Sequence, residues 1–155
     1  MRPSPIGFMH QQGFLQSDAR SARYVAAMFQ PRAVTALVVL GMLLQSPWLF
    51  LTLSAVLLWN AVVPAHNVFD AVYNRIVPDG DGRGRLGPAP APRRFAQGLA
   101  AAFAFVVAVA IFSGADKLAW GVEGFLAAAA MAVVFLRFCL GSYLYRLLTG
   151  SRSNS

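Results

Sequence analysis

The sequence predicts an all-α membrane protein, with four transmembrane helices as two tandem hairpins flanked by interfacial amphipathic helices. Three observations carry that reading. The 155 residues are 57% hydrophobic and only 12% charged, where a soluble domain carries about a quarter charged residues. The charge is also clustered: Ala33 to Phe69 and Phe95 to Ala115 contain no Asp, Glu, Lys or Arg, and Leu118 to Leu136 contains only Glu123. Apolar runs of this length read as membrane spans. Finally, the net charge of +7 comes from arginines that flank the runs. That placement fits topology and anionic headgroups rather than a nucleic-acid partner.

Taken in order, residues 1–30 form an N-terminal arm and an amphipathic segment. Pro3, Pro5, Gly7 and Gly13 make residues 1–16 irregular. Residues 17–30 read as a helix with Ser17 at its cap, Arg20 and Arg23 on one side and Tyr24, Val25, Met28 and Phe29 on the other. This helix either lies in the headgroup plane or extends the first span. Residues 31–77 hold the first hairpin. Pro31 suits the first turn of a new helix, and Gln45-Ser46-Pro47 divides the run into Ala33–Leu44 and Trp48–Val63. Both pieces are short at ~1.5 Å per residue. Extension of the first back through Pro31 is favoured over a re-entrant hairpin, because turn backbone exposed to hydrocarbon is costly. Phe69, Val72, Tyr73 and Ile76 then recur at helical spacing, predicting an interfacial helix.

Residues 78–94 are a Gly-, Pro- and charge-rich cytoplasmic linker. Residues 95–148 hold the second hairpin. Its outgoing helix runs from about Arg94 to Phe112, its tip is Ser113 to Lys117, and its returning helix runs from Leu118 to Arg137 and on into Phe138–Leu148. Alanine runs at 100–102 and 127–130 offer small-residue packing surfaces. Residues 149–155 are a polar, disordered tail. The halves look alike: Pro31-Arg32 and Pro92-Arg93 open them, Trp48 and Trp120 start the returning helices, and each ends in an amphipathic stretch with an arginine. The arginine bias predicts both termini and the linker on the cytoplasmic side of a bacterial inner membrane. Trp48 and Trp120 would anchor the outer interface, with Trp59, Tyr73 and Tyr145 anchoring the inner one and Tyr143 also suited to an interface.

Few residues point to chemistry. Glu123 is a candidate intramembrane carboxylate; without a second ionisable group in the runs, an interfacial, snorkelling or paired role is expected. His66 and Asp70 stand at i, i+4 and are expected to form a polar interfacial cluster. No catalytic group, metal site or cofactor is predicted. Cys139 is the single cysteine, so no internal disulfide forms.

The stretch Phe138-Cys139-Leu140-Gly141-Ser142, followed by Tyr143, resembles a Phe-Cys-x-Gly-Cys signature at the end of a last membrane helix. That signature is typical of an uncharacterised bacterial four-helix membrane family, the domain-of-unknown-function family four-three-nine-five. The Pro-Trp turn at 47–48 and Pro-Arg-Arg-Phe-Ala-Gln at 92–97 resemble it too, so the likeness covers residues 31 to about 148. The family's paired cysteines imply thiol–disulfide chemistry, but this chain has Ser142 in place of the second one. A Cys-x-x-Ser has no resolving thiol, which leaves Cys139 as a candidate thiol for mixed disulfides or as a small buried hydrophobe. The expected function is therefore that of a non-catalytic accessory or structural subunit of a larger membrane complex, respiratory or photosynthetic, with the lipid bilayer as its solvent and no nucleic-acid partner. The alternative is a thiol-redox membrane module working through Cys139 with a thioredoxin-like partner.

Overall fold

A computed structural model describes residues 4–14, 22–77 and 86–150. Among them are seven α-helices and no strand. They are α1 (Pro5–Gln11), α2 (Ala22–Leu44), α3 (Pro47–Val62), α4 (Val68–Ile76), α5 (Ala91–Phe112), α6 (Asp116–Leu136) and α7 (Leu140–Leu148). A 3-10 turn at Pro64–His66 links α3 to α4. Helices α2, α5 and α6 are long and apolar enough to cross a membrane. Helix α3 has 16 residues, about 24 Å of rise against roughly 30 Å of hydrocarbon. Three helices thus meet the length of a span where four were expected.

Helices α2, α3, α5 and α6 form a ring in which α2 touches α3 and α6, and α5 touches α3 and α6. Short connections at Gln45–Ser46 and Ser113–Ala115 make each hairpin antiparallel. Contacts at the opposite end, Arg94 Nε donating to Ala61 O (2.8 Å) and Ala89 N donating to Pro64 O (3.3 Å), return the chain to the start of α5. The result is an up-down-up-down bundle. Its halves also share a pattern of helix pairing, though not the extent of each contact: α4 packs on α2 as α7 packs on α5, and α3 meets α5 as α6 meets α2. This topology has the layout of a parallel repeat of two helical hairpins.

Each helix buries one stripe. On α2 the stripe is Ala26, Ala27, Gln30, Val34 and Val38; on α5 it is Arg93, Gln97, Ala101, Ala104 and Ala108. Phe50, Leu53 and Leu57 of α3 and Leu126 and Ala127 of α6 complete the main core. Ser54 Oγ donates to Ala101 O at 2.8 Å, tying α3 to α5. The outward faces are apolar as well: Leu43 is 78% exposed, Phe135 73% and Trp48 67%. Soluble monomers rarely expose such surfaces.

Several local expectations are corrected. Pro31 lies inside α2 rather than opening a helix, so α2 crosses the boundary expected at residue 30. The extension through Pro31 is the favoured alternative realised, and Thr35 Oγ1 donates to Pro31 O at 2.8 Å within it. Residues Pro5–Gln11 of the arm are helical, with Ser4 Oγ accepting from Gly7 N. The returning helix does not run on to residue 148: Arg137 adopts a left-handed φ of 54° and ends α6. The Ser17 cap, the first part of the linker (78–85) and residues 151–155 lie outside the described residues.

Helix α7 approaches α5 through glycine. A Cβ on Gly141 would lie 2.8 Å from both Cα and Cβ of Ala96. Gly141→Val is therefore expected to push α7 off α5 and destabilise the fold by about 1–3 kcal/mol. The readout is thermal unfolding of the detergent-solubilised protein. A midpoint equal to that of the wild type would show that this contact is not tight.

Candidate functional site

The polar residues of the bundle gather at the end where the arm, α4 and α7 meet. Arg93, in the first turn of α5, points inward and is 4% exposed. Its Nη1 donates to Asp70 Oδ2 at 3.1 Å and its Nη2 to Asp70 Oδ1 at 2.9 Å, a two-pronged pair. Nη2 also donates to Gln30 Oε1 at 2.7 Å. The same oxygen accepts from Gln97 Nε2 at 2.9 Å and Asn67 Nδ2 at 3.2 Å. Asn67 Oδ1 accepts from Phe69 N and Asp70 N, capping α4 and fixing Asp70 toward Arg93. Asn60 Oδ1 accepts from Val68 N at 2.9 Å, so the start of α4 is pinned to α3 as well. Phe14 of the arm lays its ring 5.9 Å from the Arg93 guanidinium.

Beside this knot, the break after α6 places Cys139 and Ser142 at the start of α7. Ser142 Oγ lies 3.4 Å from Cys139 Sγ, and both residues are buried. The arm closes over them: Cys139 N donates to Gln11 Oε1 (3.1 Å) and Gln12 Nε2 donates to Ser142 Oγ (3.2 Å). Arg146 holds His10 through its ring nitrogen and carbonyl oxygen. Phe8 and Met9 seat α1 against Ala27 and Met28.

Glu123 stands apart, toward the hairpin tips. It is fully buried and does not snorkel. Its Oε2 accepts from Gln45 Nε2 at 3.0 Å, while Oε1 has no hydrogen-bond partner among the described residues. Gln45 holds the left-handed tip of the first hairpin (φ 45°) and also donates to Met42 O. The carboxyl group thus fastens that tip to α6.

The polar cluster expected at His66 and Asp70 is divided: His66 is exposed on the 3-10 turn, while Asp70 is buried and turns to Arg93. Trp48, edge-on to Phe112 at 5.2 Å, and Trp120 sit at the tip end. Trp59, donating to His66 O, lies at the other end with Tyr143 and Tyr145, the latter beside Phe95. The sequence reading missed Gln30, Arg93 and Gln97 as a unit. A usable signal was present, since Arg93 and Gln97 continue the small-residue stripe of α5 at helical spacing. No group of three or more His, Cys, Asp or Glu able to hold a metal occurs among the described residues.

Removing one partner of a buried ion pair leaves an uncompensated charge. Arg93→Met or Asp70→Leu alone is expected to destabilise the protein by about 3–5 kcal/mol, and the double variant by less than either. A double-mutant cycle read by thermal unfolding in detergent checks this. Additive losses would mean that the two residues act independently.

No curated protein matches this chain, and no solved structure does. One family model matches residues 18–149, covering α2 to α7, and the chain belongs to that family, described as Domain of unknown function (DUF4395).

Proposed function

We propose that this protein is a non-catalytic, four-span membrane protein that serves as an accessory subunit of a larger membrane complex. The supporting observation is the closed character of the polar knot. Arg93, Asp70, Gln30 and Asn67 spend their hydrogen bonds on holding α2, α4 and α5 together, so the buried charges act as a fastening rather than as a reaction centre. The four-span count is supported by α3 lying antiparallel between neighbours of spanning length, with Trp48 and Trp59 exposed near its two ends. A short span is accommodated by local thinning of the bilayer. The arginines of the arm, the linker and the tail favour cytoplasmic termini in a bacterial inner membrane.

The test is mild extraction with a C-terminal tag and mass spectrometry of what co-migrates. A large complex in fixed stoichiometry is expected. Purification of the protein alone across several gentle detergents would overturn the subunit reading.

A second reading rests on Cys139, whose sulfur lies beside Ser142 at the base of an interhelical cleft. Attack of its thiolate on a partner disulfide would form a mixed disulfide and release one partner thiol. A mixed disulfide trapped from cells, and absent from Cys139→Ser, is the result this reading requires. The geometry makes a further prediction. In Ser142→Cys the two thiols face one another across the first turn of α7, so mild oxidation should remove both free thiols within one chain. Retention of two titratable thiols after oxidation would show that the pair cannot close.

A further inference from the structure

Helices α2, α5, α6 and α7 leave a cleft of about 250 Å³ between them. It follows α5 from Arg93 to Phe103, about 15 Å of rise and so half the thickness of a bilayer core. Its walls toward the hairpin tips are apolar, with Val34, Leu57, Phe103 and Phe125 facing alanines of α5 and α6. Its other end is lined by Gln12, Gln30, Arg93, Gln97 and Cys139. The site is therefore amphiphilic along its length.

The polar end lacks one hydrogen-bond donor. Gln97 is 4% exposed, and its Oε1 has no hydrogen-bond partner among the described residues. Exchanging its amide oxygen and nitrogen does not help, because the nitrogen faces Gln30 Oε1, which already accepts from Arg93 and Asn67. The free acceptor is therefore fixed by its neighbours, and a buried acceptor without a donor is unfavourable. The positive charge of Arg93 is met by Asp70 in a two-pronged contact, so the end of the cleft attracts no anion. The volume lies just below the range of small-molecule pockets, roughly 300–1,000 Å³, which suits one chain rather than a two-chain lipid.

We propose that this cleft binds a neutral, single-chain lipid whose head carries a hydroxyl, the hydroxyl donating to Gln97 Oε1 and the chain lying between α5 and α6. A monoacylglycerol and an isoprenoid hydroquinone share that chemistry. The arm covers the head, since Gln12 lines the same end and Phe14 lies over Arg93.

The test uses the full chain in lipid nanodiscs and hexadecanol bearing a diazirine near its end. Hexadecane with the same label, and hexadecanoic acid at neutral pH, serve as comparisons. The alcohol is expected to label α5 and α6 peptides at least about fivefold above the alkane or the acid, a ratio in keeping with one buried neutral hydrogen bond. Gln97→Leu should bring the alcohol down to the alkane level. Ala100→Phe, which fills the cleft without touching the polar knot, should abolish labelling while circular dichroism stays unchanged. Equal labelling by alcohol and alkane, or wild-type labelling in either variant, would overturn the proposal. Mass spectrometry of lipid extracted with the purified protein separates the two sources. A glycerol ester and a quinol that oxidises to an ultraviolet-absorbing quinone have distinct signatures, and finding only two-chain phospholipid would refute both.

Discussion

Everything at the polar end of the bundle, opposite the hairpin tips, hangs on one oxygen. Gln30 Oε1 accepts from Arg93 and Gln97, one turn apart on α5, and from Asn67 at the cap of α4. Where water is scarce, a guanidinium must find acceptors within the protein, and Arg93 finds Asp70 and Gln30 only if α2, α4 and α5 take up one mutual arrangement. The Asp70 carboxylate meets the charge, and the Asn67 cap holds that carboxylate at the first turn of α4. Apolar stripes alone would leave the helices free to slide, because lipid tails are as apolar as the helix faces. The polar knot supplies the register that hydrophobicity cannot.

The pseudo-repeat explains why this knot lies where it does. Gln30 and Gln97 each stand about four helical turns before the end of the first helix of their hairpin. The repeat brings them face to face across the centre of the bundle. At the corresponding starts of α4 and α7, Asn67 and Asp70 stand three residues apart in one half, and Cys139 and Ser142 stand three apart in the other. In the first pair Asp70 is spent on Arg93 and Asn67 on Gln30 and the cap of α4. The second is held by the arm through Gln11 and Gln12, which leaves the thiol beside the cleft. The same architecture therefore presents a closed, structural end in one half and a more open one in the other.

The arm matters more than its composition indicates. Its helix is only Pro5–Gln11, yet it touches α2, α6 and α7 at once through Phe8, Met9, Gln11, Gln12 and His10. Gly13, at φ 87°, lets the chain pass against Pro90 and Pro92, where a Cβ would lie 2.8 Å from Pro90. The arm is thus a cover on the polar end of the cleft.

The sequence by itself determined the helical class, the two hairpins and their tips, because long uncharged runs and turn residues such as Gln45-Ser46-Pro47 act locally. It also located the aromatic residues at the helix ends. Tertiary structure alone decided which of two adjacent arginines is buried. Arg93 and Arg94 are equivalent as residue types, but a step of ~100° around α5 sends the first into the core and the second to Ala61 O at the surface. It likewise decided that Arg137 breaks the last helix and that Asp70 turns to Arg93. Each outcome depends on partners distant in the chain, and the spacing of residues along one helix carries no record of what packs against it.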